Sequence, residues 1–481
     1  MSETALVWFR RDLRLIDNPA LHQAVASCDQ VIPVYVHAPD EEAPWQPGGA
    51  SRWWLHHSLT ALKDQLAALG SGLVIVEGDS LDNLRRLARV TGASRCLWNR
   101  LYDPALVARD SAIKQSLRTD GIRCDSFNAA MMLEPWQVKT GSGEPYRVFT
   151  PYWRRCVPQL ENIDQPLPAP SALPPMPGGI DSRPIDALGL LPDIPWDQGL
   201  RETWSPGETG ATARLSRFLA DPITRYGQGR DVPGEPGTSA LSPHLHWGEI
   251  GPRQIVAAIR ERGLGDNEDA NHYMRELGWR DFSHQMLYHF PHTPLEPLNP
   301  KFAGFPWRDD PDGALLRAWQ QGRTGIPIAD AGMRELWRTG WMHNRVRMIV
   351  SSLLTKNLRL PWQQGARWFW DTLADADLAS NTQGWQWSAG SGADAAPYFR
   401  IFNPVLQGER FDPRGTYVRR WCPELDGLPD KHIHQPWALK PALLDQVGIR
   451  LGRDYPAPIV DLKRSRAEAL AAYDQIKTGG F

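Results

Sequence analysis

The chain has 481 residues, 42% apolar and 22% charged, and Lys+Arg 53 against Asp+Glu 55 leaves a net charge of −2. Those values exclude wholesale disorder, allow two to four domains at roughly 150 residues each, and confine any nucleic-acid surface to a local patch. Five scattered cysteines (Cys28, Cys96, Cys124, Cys156, Cys422) without a CxxC pair exclude a disulfide scaffold and a cysteine zinc site, and no run reaches the roughly 18 apolar residues of a membrane span.

In chain order, short apolar runs predict strands over Ala5–Phe9, Val31–His37, Leu73–Glu77, Arg95–Asn99 and Ile122–Phe127. Amphipathic stretches lie between them at Ser51–Leu69 and Ser80–Val90, and a helix opens on Asp103-Pro, an N-cap and N1 pair, and stops at Gly121. Strands alternating with helices read as a doubly wound parallel α/β domain over residues 1–130, a fold that binds ligands at the carboxyl ends of its strands. No GxGxxG or GxxxxGK[ST] is present, so a dinucleotide or P-loop site of the usual kind is not supported. Residues 161–200 hold nine prolines and four glycines, the core of an interdomain connector assigned to 131–200. From about Thr203 to Gln475 the periodicity is helical, which predicts an all-α domain over 201–475.

Several segments carry candidate chemistry. The window Arg334–Arg359 holds six Lys/Arg and one Glu, interleaved with Trp337 and Trp341. It is either the solvated basic face of a helix or a surface for phosphates and stacked bases. Arg400–Arg420, with five Arg and two acids, is a second such stretch. Glu276, Trp279 and Arg280 share one face of the helical run Asn271–Phe290, where an i,i+4 ion pair beside a core Trp is the bland account. Gly278 costs that helix about 1 kcal/mol and signals a close approach. Asp375 and Asp377, with Asn381 nearby, either cap a helix or meet the polar edge of a heteroaromatic ring. Gly237-Thr-Ser-Ala-Leu-Ser242 offers hydroxyls and N–H groups around a turn that can cradle phosphate. Trp outnumbers both Phe and Tyr, 22 against 13 and 11, and ten of the Trp fall between Trp279 and Trp387. HExxH, HxE…PCxxC and GxSxG are all absent, so the standard hydrolytic sets are excluded and no metal site is expected.

In order, LVWFRRDLRLIDNPAL, GTSALSPHLHWGEI, ELGWRDF, TGIPIADAGMREL, TGWMHNRVRM, DADLASNTQGWQW and DAAPYFRIFNPVLQGERFDP resemble the DNA photolyase/cryptochrome family, most of all a class I cyclobutane pyrimidine dimer photolyase. The resemblance implies an N-terminal α/β antenna domain and a C-terminal helical FAD domain. The FAD contacts it implies are Tyr226, Thr238, Ser239, Leu241, Ser242, Tyr273, Arg280, Arg347, Asp375, Asp377 and Asn381, the last beside the flavin N5. Glu276, Asn344 and Met348 match the dimer pocket; Trp279 and Trp387 match the tryptophans that pack on the extruded dimer. Arg230, Arg345 and Gln407 match DNA contacts, and Trp385, Trp362 and Trp307 match a tryptophan relay that photoreduces the flavin. Trp319 is assigned to the core.

The activity implied is light-driven repair of cyclobutane pyrimidine dimers by electron transfer from excited FADH⁻, in a cytoplasmic monomer acting on UV-damaged DNA. A (6-4) photolyase of similar sequence reads HHLARH where this chain reads HNRVRM. A cryptochrome photoreceptor commonly carries a long C-terminal extension and often replaces the asparagine retained here as Asn381. Folate-binding members place a glutamate where WNRLYDPALVARD has Leu106, so the antenna is left open between methenyltetrahydrofolate held differently, a deazaflavin, another flavin or none. Gly278, where the family usually has Ile, is a second departure.

Overall fold

The computed structural model describes residues 3–395 and 399–478. Five parallel strands, β1 (Thr4–Phe9), β2 (Gln30–His37), β3 (Val74–Glu77), β4 (Arg95–Asn99) and β5 (Arg123–Phe127), form one sheet in the order β3-β2-β1-β4-β5. Central β1 is buried at every position, as a strand covered on both faces must be. The covering helices are α1 (Pro19–Ser27), α2 (Gly49–Ala68), α3 (Ser80–Thr91) and α4 (Pro104–Thr119). Asn18 caps α1 by accepting from the Leu21 amide at 3.1 Å, and Asp79 caps α3 through Asp82 N at 2.9 Å. Leu6, Trp8, Ile32, Val34, Leu84, Leu87 and Leu117 form the core between them.

Two local expectations are corrected. Asp103 occupies the N-cap position of α4, but its side chain makes no cap; its carboxylate accepts from Arg11 Nη1 at 2.6 Å instead. That pair belongs to a network at the carboxyl ends of β1 and β4, where Arg10 meets Asp110 at 2.8 Å and Asn99 Nδ2 donates to Asp12 at 2.6 Å. The end of the sheet where ligands commonly sit is therefore lined by the protein's own ion pairs. The proline-rich connector is also more than a surface crossing: Arg183 N donates to Ile75 O at 2.8 Å, Ser182 Oγ accepts from Ile75 N at 2.9 Å, and Met176 and Ile180 pack on the core. It covers the free edge of β3, a form of protection that edge strands need.

The chain divides into two compact units, one of Met1–Thr224, Ser239–Pro291 and Ala374–Leu378, the other of Arg225–Thr238, His292–Leu373 and Ala379–Phe481. These are not the segments read along the chain. Buried polar side chains explain why the helices Pro252–Glu261 and Glu268–His289 pack with the α/β elements. Arg14 Nη1 donates to Gly248 O at 2.8 Å, Arg253 pairs with Asp17 at 2.8 Å, and Asp281 accepts from the Met132 and Leu133 amides at 2.9 and 3.1 Å. The second unit is helical; among the described residues beyond β5 no further strand joins a sheet, and only isolated bridges occur.

Candidate functional site

In the first unit, the helix Glu268–His289 is capped by Asn267, which accepts from Ala270 N at 2.9 Å, and carries Glu268 and Asp269 in its first turn. Along it stand Tyr273, Glu276, Trp279, Arg280 and His284. Tyr273 is buried, which pushes its hydroxyl up to about 12, and Oη donates to Ser239 Oγ at 3.0 Å. Arg280 does not pair with Glu276: Nη1 donates to Ala130 O at 2.6 Å, so the simple i,i+4 account fails. Trp279 is half-buried and lies flat on Phe149, rings 3.8 Å apart and 10° from parallel, with Phe282 edge-on at 5.7 Å. The close approach signalled by Gly278 is Trp153, whose ring would lie 2.3 Å from an added Cβ.

Asp375 and Asp377 are both buried. Burial works to raise the Asp377 carboxyl, but His284 Nε2 at 3.3 Å, His246 Nδ1 at 3.9 Å and the nearby Arg280 hold it well below the usual carboxylate range. Asp377 is thus an ionised acceptor in a water-poor setting. In the turn before the short helix Ser242–His246, Ala240 holds φ +50°, a left-handed conformation that a residue with a side chain adopts at a cost. Ser239 Oγ accepts from Leu241 N at 3.3 Å, and Leu241 is buried.

In the second unit, the helix Pro327–Thr339 ends on Gly340 at φ +66°, and a turn leads into the helix Asn344–Ser352. His343 caps that helix, its Nδ1 accepting from Arg345 N at 3.2 Å. Burial pushes His343 down to about 4, so at neutral pH the ring is uncharged and free to accept. Asn344 is exposed and Met348 half-buried on the first turn. Arg345 Nη2 binds Asp231 at 2.6 Å while Nη1 points at Met348 Sδ, 3.7 Å away; Arg347 Nε donates to Met342 O at 2.8 Å. Tyr226 is buried beneath Arg230, whose guanidinium lies 5.5 Å from the ring centre. Thr238 and Gln407 are half-buried.

Asn381 Nδ2 donates to Ala366 O at 3.0 Å, which leaves Oδ1 as the end available to another donor. Trp385 is buried, edge-on to Phe369 at 5.0 Å and to Trp319 at 6.0 Å. Trp319 is a core residue with Nε1 donating to Val350 O at 3.0 Å. Trp362 is buried and Trp307 half-buried against Phe305. Trp387 is half-buried with Arg400 5.9 Å from its ring.

The basic window is corrected. Of its six cations, Arg334 pairs with Glu424 at 2.7 Å, Arg345 with Asp231 and Arg359 with Glu468 at 3.4 Å; Lys356 is buried, donating to Ala389 O at 2.5 Å. The positive excess is local in sequence and largely compensated in space. Sequence reasoning missed His246 and His284 as partners of Asp377, and Asp231 as the partner of Arg345. The histidines come from separate segments, and nothing in spacing announces such a meeting.

A family model described as DNA photolyase matches residues 5–171, and one described as the FAD binding domain of DNA photolyase matches residues 273–475. A deoxyribodipyrimidine photo-lyase of Agrobacterium fabrum is 48% identical over 98% of both chains. Cryptochrome-1 of Arabidopsis thaliana is 40% identical over 98% of this chain and 70% of its own. A solved structure described as a bacterial class III photolyase from Agrobacterium tumefaciens superposes with a TM-score of 0.94 at 46% identity, covering 100% of this chain and 98% of that one.

Proposed function

The chain belongs to the DNA photolyase/cryptochrome family and carries its FAD-binding domain, and from that premise we propose that it is a light-driven repair enzyme for cyclobutane pyrimidine dimers in DNA. The observation that carries this reading is the turn before Asn344. His343 is buried, uncharged and committed to capping, and on the turn that follows Asn344 is exposed and Arg345, Arg347 and Met348 are half-buried. This segment offers no imidazole to protonate a lesion, as (6-4) repair requires, and presents an amide and a thioether suited to a neutral pyrimidine pair. The 46% identity to a structure described as a bacterial class III photolyase supports a repair enzyme of this family.

The donor set fits FAD. Thr238, Ser239 and Ser242 flank Ala240 in sequence, where a φ of +50° bends the chain into a turn suited to phosphate. Ionised Asp377 is suited to accept from a ring N–H, and Asn381 Oδ1 is an acceptor of the kind a reduced flavin, with hydrogen on N5, would use. Bound and reduced, the flavin supplies on excitation the electron that opens the cyclobutane ring and takes it back. The chain's own residues do the rest. Arg280, Asp375 and Asp377 in the first unit, and Arg347 in the second, are the residues the resemblance assigns to the flavin edge. Trp279, stacked on Phe149 in the first unit, and Trp387 in the second are aromatic faces suited to an extruded dimer, and Glu276 is the polar side chain that the resemblance assigns to the dimer pocket. Trp385, Trp362 and Trp307 carry electrons inward only to activate oxidised flavin.

A second reading, a photoreceptor, is supported by the 40% identity to a cryptochrome. An oligonucleotide bearing one cyclobutane dimer and another bearing one (6-4) lesion, each incubated with reduced enzyme in light and in darkness, separate the readings. Loss of the cyclobutane dimer alone, in light alone, is the expected result. No loss of either lesion overturns it in favour of the photoreceptor.

A further inference from the structure

Arg345 matches a DNA contact, yet in the free protein both Nη atoms of its guanidinium are engaged within one unit, and Nε is buried with no hydrogen-bond partner among the described residues. Nη2 donates to Asp231 Oδ1 at 2.6 Å, Nη1 faces Met348 Sδ at 3.7 Å, and the group lies 4.4 Å from the centre of the Phe411 ring. The side chains of Arg345 and Asp231 are 19% and 34% exposed, a partly desolvated pair and so less screened by salt than a surface one. A phosphate that took Arg345 would have to displace a carboxylate already in contact and leave Asp231 beside an anion.

We propose that Asp231 is a specificity-determining residue: it holds Arg345 at the Met348 side of the lesion pocket and withholds it from the phosphates of undamaged DNA. The physical reason is that undamaged binding is governed by phosphate neutralisation, whereas lesion binding adds pocket contacts that need no further free cation. Removing the carboxylate frees one arginine for any phosphate and at the same time loosens the Met348 wall. The inference rests on the proposed dimer-repair reading, since it takes Arg345 and Met348 as neighbours of the lesion.

The test is binding of the flavin-loaded full chain to one duplex, with and without a single cyclobutane dimer, from about 50 to about 200 mM salt. Asp231→Asn is expected to bind undamaged duplex about five-fold tighter, with a salt slope steeper by about 0.9, while dimer affinity does not rise and discrimination falls about five-fold. Asp231→Glu, which keeps the charge, is expected to retain wild-type discrimination. In an Arg345→Ala background Asp231→Asn is expected to change undamaged binding by less than about two-fold. Equal gains on both duplexes, equal losses on both, or an undiminished effect without Arg345 would each overturn the proposal. Asp445→Asn, an exposed acid elsewhere in the same unit, controls for bulk charge; an equal gain there also overturns it. A wild type that does not discriminate between the duplexes refutes the dimer-repair reading instead, and is told apart by that control alone.

Discussion

Gly278 and Gly365 each sit under a tryptophan, and the two differ in what surrounds that ring. An added Cβ at Gly278 meets Trp153 at 2.3 Å; at Gly365 it meets Trp385 at 2.0 Å and Leu354 at 2.6 Å. Trp153 is half-buried and can yield towards solvent, whereas Trp385 and Leu354 are enclosed. Alanine gains about 1 kcal/mol of helix propensity at either position, against an overpacking cost of about 1–3 kcal/mol. Gly365→Ala is therefore expected to destabilise by about 2 kcal/mol or more and Gly278→Ala by about 1 kcal/mol or less, in chemical denaturation. A reversed order contradicts this packing. Gly278 also shows what one residue of sequence can say: a glycine inside a helix announced a neighbour, but only the fold named Trp153.

At the scale of elements, the turn Thr339–Asn344 is tied down by a buried acid. Glu335 accepts from Tyr417 Oη at 2.6 Å and from His343 N at 3.4 Å. Burial pushes its carboxyl up from 4.5 to about 7, against the pull of those bonds and of Arg347 and Arg420. A folded value above the unfolded one means that folding favours the protonated form. That contribution is full below about pH 4.5 and is lost as pH rises through about 7, a change of about 3 kcal/mol. Glu335→Gln keeps a neutral hydrogen-bonding group, so the stability difference, wild type minus variant, is expected to fall between pH 5 and 8. Curves that stay parallel across that range contradict the burial argument. The elements themselves were largely legible: short apolar runs located the strands within a residue or so, most plainly β1 and β2, which are buried almost throughout and leave a continuous apolar trace, whereas β5 at the sheet edge is only partly buried. Side-chain allegiance was not. Asp103 looked like a cap and is an ion-pair partner of Arg11, and the π-helical turn Leu353–Asn357 has no sequence signature of its own.

At the scale of the molecule, the motifs gave the family and the positions to examine, while the charge pattern misled. A positive excess over Arg334–Arg359 is compensated by Asp231, Glu424 and Glu468, which lie far away in sequence. Linear windows cannot register such pairing. Division of labour is the consequence that tests the whole. The relay candidates Trp385, Trp362 and Trp307 lie in one unit and Glu276 in the other. Electron supply is needed only to reduce oxidised flavin, whereas dimer opening begins from flavin already reduced. The decisive measurement is the dimer content of a cyclobutane-dimer oligonucleotide after illumination with dithionite-reduced wild type, Trp362→Phe and Glu276→Ala, each also scored for photoreduction with a thiol donor. Light-dependent dimer loss is expected in wild type and nearly unchanged in Trp362→Phe, which no longer photoreduces, but about ten-fold lower in Glu276→Ala, which still does. Absence of light-dependent loss in reduced wild type, or equal damage to both activities in both variants, would contradict the account.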